Sequence, residues 1–124
     1  MSTGPLAGLR ILIVEDDYYL AADGQQALEA AGGVIVGPVA KAEQALPLID
    51  GGIDCAVVDI NLGRGPSYVV AAALAERGIP FLFATGYDAA AIPDLFRDVP
   101  SLEKPIEEAQ LVAAVIRLRR TGGS

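Results

Sequence analysis

The sequence contains no histidine and no tryptophan, and its only cysteine is Cys55. Without histidine the chain cannot form a serine–histidine–aspartate triad, use imidazole as an acid or base, or hold zinc through imidazole nitrogens. A single cysteine excludes an internal disulfide bond and any metal site built from several thiolates. The chemistry left to this chain is therefore that of carboxylates, hydroxyls and lysine.

Basic residues and long apolar runs are also scarce. Nine Lys and Arg stand against sixteen Asp and Glu, which gives a formal net charge of -7 and argues against general affinity for nucleic acid or anionic membranes. The longest apolar run, residues 68–75, is far shorter than the roughly 18 to 20 residues of a spanning helix, and the N-terminus lacks a signal pattern. We therefore expect a cytoplasmic protein whose partners are proteins or cations.

The length of 124 residues fits one domain, whose core we place at about residues 8–120, with no output domain after it. Short, mostly continuous apolar runs predict strands at residues 9–14, 34–36, 55–58, 81–84 and 99–102. The segments between and after them predict helices at about 17–31, 40–50, 66–77, 88–96 and 105–119. Five strand-then-helix repeats indicate a doubly wound α/β fold with a parallel sheet.

Polar residues follow the carboxyl ends of four predicted strands. They are Glu15, Asp16 and Asp17 after the first strand, Asp59 after the third, Thr85 after the fourth and Lys104 after the fifth. Open parallel sheets bind ligands in the crevice outside these ends, and in the strand order 2-1-3-4-5 the acids of the first and third strands meet. Helix capping accounts for Asp17, but it accounts for neither Asp59 nor Lys104.

Such a cluster of acids needs a counter-charge. Two like charges about 4 Å apart repel by roughly 4 kcal/mol at an effective dielectric constant of 20. Oxygen ligands favour a hard divalent cation, and a shell that keeps several waters suits Mg2+ better than Ca2+. A metal, a carboxylate, a hydroxyl and a lysine are together suited to phosphoryl transfer to an aspartate.

Four motifs, in order along the chain, resemble those of the receiver domains of two-component response regulators. They are ILIVEDD at 11–17, VVDINLG at 57–63, FATG at 83–86 and LEKP at 102–105. The resemblance covers essentially the whole chain and implies a flavodoxin-like receiver fold with five strands in the order 2-1-3-4-5. It also implies a phosphoryl group taken from a histidine kinase or histidine phosphotransfer protein, a downstream protein target, and no enzymatic turnover.

The resemblance also implies a role for each polar residue. Asp59 would accept the phosphoryl group, Thr85 would hydrogen-bond it, and Lys104 would neutralise another of its oxygens. The ligands of Mg2+ would be Asp16 directly, Glu15 through a bound water, Asp59, and the backbone carbonyl of Asn61. A phosphoaspartate adds roughly 1.5 to 2 negative charges, so both the metal and the lysine are needed.

More narrowly, the segment FLFATGY at 81–87 resembles a subgroup of alphaproteobacterial receivers called FAT GUY, whose members are often single-domain proteins. Most receivers carry Tyr or Phe three residues before the lysine, where this chain has Ser101. The usual aromatic switch is therefore missing. We take Tyr87 as the switch candidate, with Gly86 providing backbone freedom, and packing of Tyr87 on the fourth helix as the alternative.

Other functions stay open on the sequence. A magnesium-dependent phosphatase with an aspartate nucleophile would use the same carboxylates, although such enzymes usually carry a second acid where Asn61 stands. A flavodoxin-like cofactor binder would need a phosphate cradle where residues 15–17 would repel a phosphate. A pseudo-receiver would signal without phosphate. The apolar face of the last helix also allows a homodimer.

Overall fold

The computed structural model describes residues 4–60, 68–86 and 92–122. Its strands are β1 Arg10–Val14, β2 Val34–Val39, β3 Cys55–Asp59, β4 Phe81–Thr85 and β5 Ser101–Glu103. Its α-helices are α1 Tyr18–Ala30, α2 Ala42–Asp50, α3 Val69–Glu76 and α4 Glu108–Gly122, with a 3-10 turn at Asp94–Phe96. None of the helices in these ranges combines the length and apolar character that crossing a bilayer requires.

The five strands form one parallel sheet in the order β2-β1-β3-β4-β5, which confirms the predicted fold class and strand order. One apolar core lies between the sheet and the pair α1 and α4, and the other lies between the sheet and the pair α2 and α3. All five residues of β3 and all five of β4 are buried. Coverage on both faces explains why these strands read as continuous apolar runs.

The register brings the carboxyl ends of the central strands to one edge of the sheet. Val14 pairs with Val58, Asp59 with Ala84, and Thr85 with Glu103. Residues that follow β1, β3, β4 and β5 in the chain therefore leave the sheet side by side. This is the edge at which ligands of open α/β sheets bind.

The predicted helix at 88–96 differs from the structure. Residues 87–91 lie outside the described ranges, and the described remainder contains only the 3-10 turn at Asp94–Phe96. Pro93 has extended backbone, with φ -59 and ψ 150, and proline also disfavours helical backbone at the residue before it. The 3-10 turn therefore begins only after Pro93 and is three residues long.

The packed part of the chain reaches the N-terminal segment upstream of the predicted core. Leu6 is fully buried beside Leu9 in the core under α1 and α4. Its backbone N–H donates to the Ala31 carbonyl at 2.9 Å, and an Arg119 guanidinium N–H donates to the Pro5 carbonyl at 2.9 Å. This segment therefore ties the end of α1 to the end of α4.

Leu6→Ala should lower the free energy of unfolding by about 2 to 5 kcal/mol, because it removes a fully buried side chain and leaves a cavity. Leu95→Ala is the matched control, since that side chain is 81% exposed and its loss should change stability by less than about 0.5 kcal/mol. Urea unfolding followed by circular dichroism measures both. Equal, small effects of the two substitutions would show that the N-terminal segment contributes no packing.

Candidate functional site

Four polar residues meet at the carboxyl edge of the sheet because each directly follows or ends a strand. Glu15 comes after β1, and its backbone N–H donates to the Val39 carbonyl at 2.9 Å. Asp59 and Thr85 are the last residues of β3 and β4. Lys104 follows β5, and its backbone N–H donates to the Thr85 carbonyl at 2.7 Å. The backbone of each position is thus held by a neighbouring strand or its extension.

The ammonium group of Lys104 lies between two buried carboxylates. Its Nζ is 2.7 Å from Oε1 of Glu15 and 3.1 Å from Oδ2 of Asp59. Glu15 is 9% exposed and Asp59 is 3% exposed, so solvent screens neither charge well. One positive charge therefore faces two negative charges in a site largely removed from water.

The burial and the charges of this group change the pKa values of Glu15 and Lys104. Burial raises the pKa of Glu15 to about 7, and the hydrogen bond and like charge of Asp59 act in the same direction, against the opposing effect of Lys104. Burial alone would lower the pKa of Lys104, but its hydrogen bonds to Glu15 and Asp59 outweigh this and the pKa is raised. At neutral pH the lysine is charged and Glu15 is partly protonated.

Three carboxylates could hold a metal ion here. Glu15, Asp16 and Asp59 each offer an oxygen, and these oxygens all lie within 4.8 Å of one another. Asp16 is exposed, so the group opens toward solvent on one side. A set made of oxygens alone fits a hard divalent cation, with room for waters on the open side. Asn61, the predicted carbonyl ligand, lies outside the described residues.

Asp17 has a structural role in this structure. Its Oδ1 accepts hydrogen bonds from the backbone N–H groups of Tyr19 at 2.9 Å and Leu20 at 3.1 Å. It is therefore the N-cap of α1, as expected for the third acid of the run. Its own N–H donates to Oε2 of Glu15 at 3.2 Å, which helps to orient that carboxylate.

Thr85 lies at the site but its hydroxyl is directed toward β5. The side chain is 3% exposed, and Oγ1 donates to the Leu102 carbonyl at 3.5 Å, the weak end of hydrogen-bond distances. A Cβ on Gly86 would meet none of the described atoms within 4 Å, so crowding there does not require glycine. Tyr87 lies outside the described residues.

Within the site, the sequence did not indicate the ion pair between Lys104 and Glu15. Each residue was identified by its position after a strand, and Lys104 was expected to act on a bound group. Spacing along the chain does not predict this pair, because Glu15 follows β1 and Lys104 follows β5, and only the assembled sheet brings the two residues together.

The chain is similar over nearly its whole length to several solved structures. SdrG from Sphingomonas melonis Fr1 is 39% identical, over 94% of this chain and 98% of that chain, with a TM-score of 0.79. A solution structure of the BeF3-activated conformation of SdrG from Pseudomonas melonis Fr1 is 39% identical, over 94% and 99%, with a TM-score of 0.67. A response regulator receiver protein from Sinorhizobium medicae WSM419 is 28% identical, over 92% and 96%, with a TM-score of 0.78. No protein-family model and no curated protein matches the chain.

Asp59→Asn should lower the pKa of Glu15 below its value of about 7 in the metal-free protein. The substitution removes the neighbouring negative charge, while burial of Glu15 still keeps its pKa above the ordinary value. The pKa of Glu15 is higher in the folded state than in the unfolded state, so the free energy of unfolding falls as the pH rises from the unfolded to the folded pKa. This fall should be smaller in Asp59→Asn than in the wild type.

The measurement is a carbon NMR titration of the Glu15 carboxyl. Asp50→Asn serves as the control, because Asp50 pairs with Arg77 on another part of the surface. A Glu15 pKa that is the same in wild type and Asp59→Asn would contradict the coupling between the two carboxylates.

Proposed function

The chain belongs to the response regulator receiver domains, and we propose that Asp59 accepts a phosphoryl group from a phosphohistidine of a histidine kinase or histidine phosphotransfer protein. The observation that carries the proposal is the buried carboxylate of Asp59, 3.1 Å from the Lys104 ammonium and grouped with Glu15 and Asp16. Phosphorylation would then alter contacts with a downstream protein. The domain acts as a phosphoacceptor that signals, not as an enzyme that releases a product from a substrate.

The described residues suit the transfer step. An oxygen of the Asp59 carboxylate attacks phosphorus, the bond from phosphorus to the donor's imidazole nitrogen breaks, and the nitrogen keeps the electron pair. Lys104 already lies at Asp59 and would neutralise a phosphoryl oxygen. The Thr85 hydroxyl gives up only a 3.5 Å hydrogen bond when it turns to the phosphoryl group. Mg2+ held by Glu15, Asp16 and Asp59, with the carbonyl of Asn61, would supply the remaining positive charge.

The similarity to SdrG supports this proposal. That relative, 39% identical to this chain, has a conformation described as BeF3-activated. BeF3 carries three fluorides around beryllium, as a phosphoryl group carries three oxygens around phosphorus. The present chain has a TM-score of 0.67 with that conformation and 0.79 with the other SdrG solution structure. The present chain is therefore more similar to the SdrG structure that is not described as BeF3-activated.

The finer assignment is to the FAT GUY subgroup, which rests on the segment FATGY at 83–87. In this proposal Tyr87, with Gly86 beside it, replaces the aromatic switch that is absent at Ser101. The proposal also includes a cytoplasmic location, in keeping with the lack of a signal pattern at the N-terminus. The half-buried Val112 and Ile116 on α4 leave room for a homodimer contact.

Incubation with acetyl phosphate and Mg2+ should add the mass of one phosphoryl group to the wild-type chain and none to Asp59→Asn, as measured on intact protein. Asp54→Asn is the matched control and should label as wild type does, because Asp54 lies before β3 and accepts a hydrogen bond from Arg10. Equal labelling of Asp59→Asn would exclude Asp59 as the acceptor. Steady hydrolysis of a phosphomonoester that requires Asp59 would instead indicate a phosphatase.

Mg2+ binding should strengthen about tenfold between pH 6 and pH 8, because Glu15, with a pKa of about 7, must lose its proton when the cation binds. Isothermal titration calorimetry with MgCl2 at the two pH values measures this change. Glu15→Gln should bind Mg2+ more weakly and show little dependence on pH in this range. Equal affinities of the wild type at both pH values would contradict a role for Glu15 in holding the cation.

A further inference from the structure

The three phenylalanines of the chain and one of its four tyrosines form a single cluster of rings. We call Tyr68, Phe81, Phe83 and Phe96 the aromatic cluster. Phe81 and Phe83 lie on one face of β4 and meet edge to face, with centroids 5.5 Å apart. Phe96, from the 3-10 turn, packs edge to face against both. The aromatic cluster thus lies on the face of the sheet that α2 and α3 cover.

Phe96 is the main attachment of its segment to the core. Within residues 92–98 it is the only buried side chain, at 4% exposed, and Ile92 is partly buried. The neighbouring Leu95 is 81% exposed. The described helical part of the segment is only the 3-10 turn at Asp94–Phe96, which is three residues long. Its position therefore depends on how the Phe96 ring is packed.

Tyr68 stacks on that ring. The two centroids are 5.7 Å apart with an interplanar angle of 18°, and Tyr68 also meets Phe83 edge to face at 6.1 Å. Tyr68 is the N-cap residue of α3, the helix that follows Asp59 in the chain. Phe96 lies in the segment that follows Thr85. The stack therefore joins the two stretches of chain that leave the site from β3 and β4.

Phe83 connects the cluster to the site through β4 itself. Side chains two positions apart on a strand share a face, so Phe83 and Thr85 lie on the same face of β4. A rotation of the Thr85 side chain would therefore take place on the same face as Phe83, whose ring contacts both Tyr68 and Phe96. Packed rings change between discrete arrangements more readily than they deform continuously.

We propose that the stack of Tyr68 on Phe96 couples the Asp59 site to the surface around Leu95. Phosphorylation alters the side chain of Thr85 on the same face of β4 as Phe83, and the stack transmits the change to residues 92–99. This inference rests on the proposed phosphoacceptor function. Tyr68 acts as a positioning residue through its ring contacts with Phe83 and Phe96.

Amide hydrogen exchange tests the stack in the unphosphorylated protein. The N–H groups of Phe96, Arg97 and Val99 donate to carbonyls within the segment at 2.9, 3.1 and 3.0 Å and report its opening. Tyr68→Leu should raise their exchange about tenfold relative to amides of β3, because a ring contact is lost and apolar volume is largely kept. Tyr68→Phe keeps the ring and should stay within about twofold of wild type. Unchanged exchange in Tyr68→Leu would overturn the proposal.

The second measurement repeats the exchange after incubation with acetyl phosphate and Mg2+, with intact mass recorded on the same samples. In wild type and Tyr68→Phe, a mass gain should accompany changed exchange at the three amides. In Tyr68→Leu the mass gain should persist and the exchange should not respond.

The two proposals fail in different ways. A wild-type chain that gains no mass overturns the phosphoacceptor function and the coupling with it. A mass gain without a change in exchange in wild type, or an equal response in Tyr68→Leu, overturns the coupling alone. Thermal unfolding of both variants shows whether Tyr68→Leu is folded. If Tyr68→Leu does not fold, Tyr68→Phe tests the role of the ring. A phosphorylated Tyr68→Phe whose amides do not show the wild-type change in exchange contradicts the proposal.

Discussion

Two buried carboxylates share one ammonium group, and the rest of the site depends on this imbalance. Lys104 lies within 3.1 Å of both Glu15 and Asp59, but a single positive charge cannot neutralise both of them and Asp16 as well. Burial is the main cause of the raised pKa of Glu15, and the hydrogen bond and the like charge of Asp59 raise it further. In the function that we propose, a divalent cation would supply the missing positive charge, and with that cation bound the site would accept further negative charge.

The sheet makes such a concentration of charge tolerable. β3 and β4 are buried along their whole length, and apolar cores cover both faces of the sheet. The strands therefore hold Asp59 and Thr85 in position even though the charges at their ends oppose one another. Functional sites commonly reduce stability in this way, and the loss is offset by packing elsewhere in the fold.

Elements buried on both faces were predictable, while those that depend on distant contacts were not. The runs at 55–58 and 81–84 were recognised as strands because burial on both faces requires continuous apolar residues. The segment containing Phe96 was predicted as helix from its local composition, but Pro93 and contacts of the ring with β4 favour a short turn. Leu6 lies outside the core predicted at residues 8–120, because its burial depends on contacts near the ends of α1 and α4.

The sequence by itself determined the order of strands and helices and which polar side chains follow each strand. It also determined that the polar side chains after the first, third, fourth and fifth strands are oxygen ligands and Lys104. Only the tertiary structure decided that Lys104 pairs with Glu15 as well as Asp59, that the Thr85 hydroxyl is directed toward β5, and that Tyr68 stacks on Phe96. These contacts join residues far apart in the chain, and they depend on strand register and on the direction of each side chain, which spacing along a sequence does not encode.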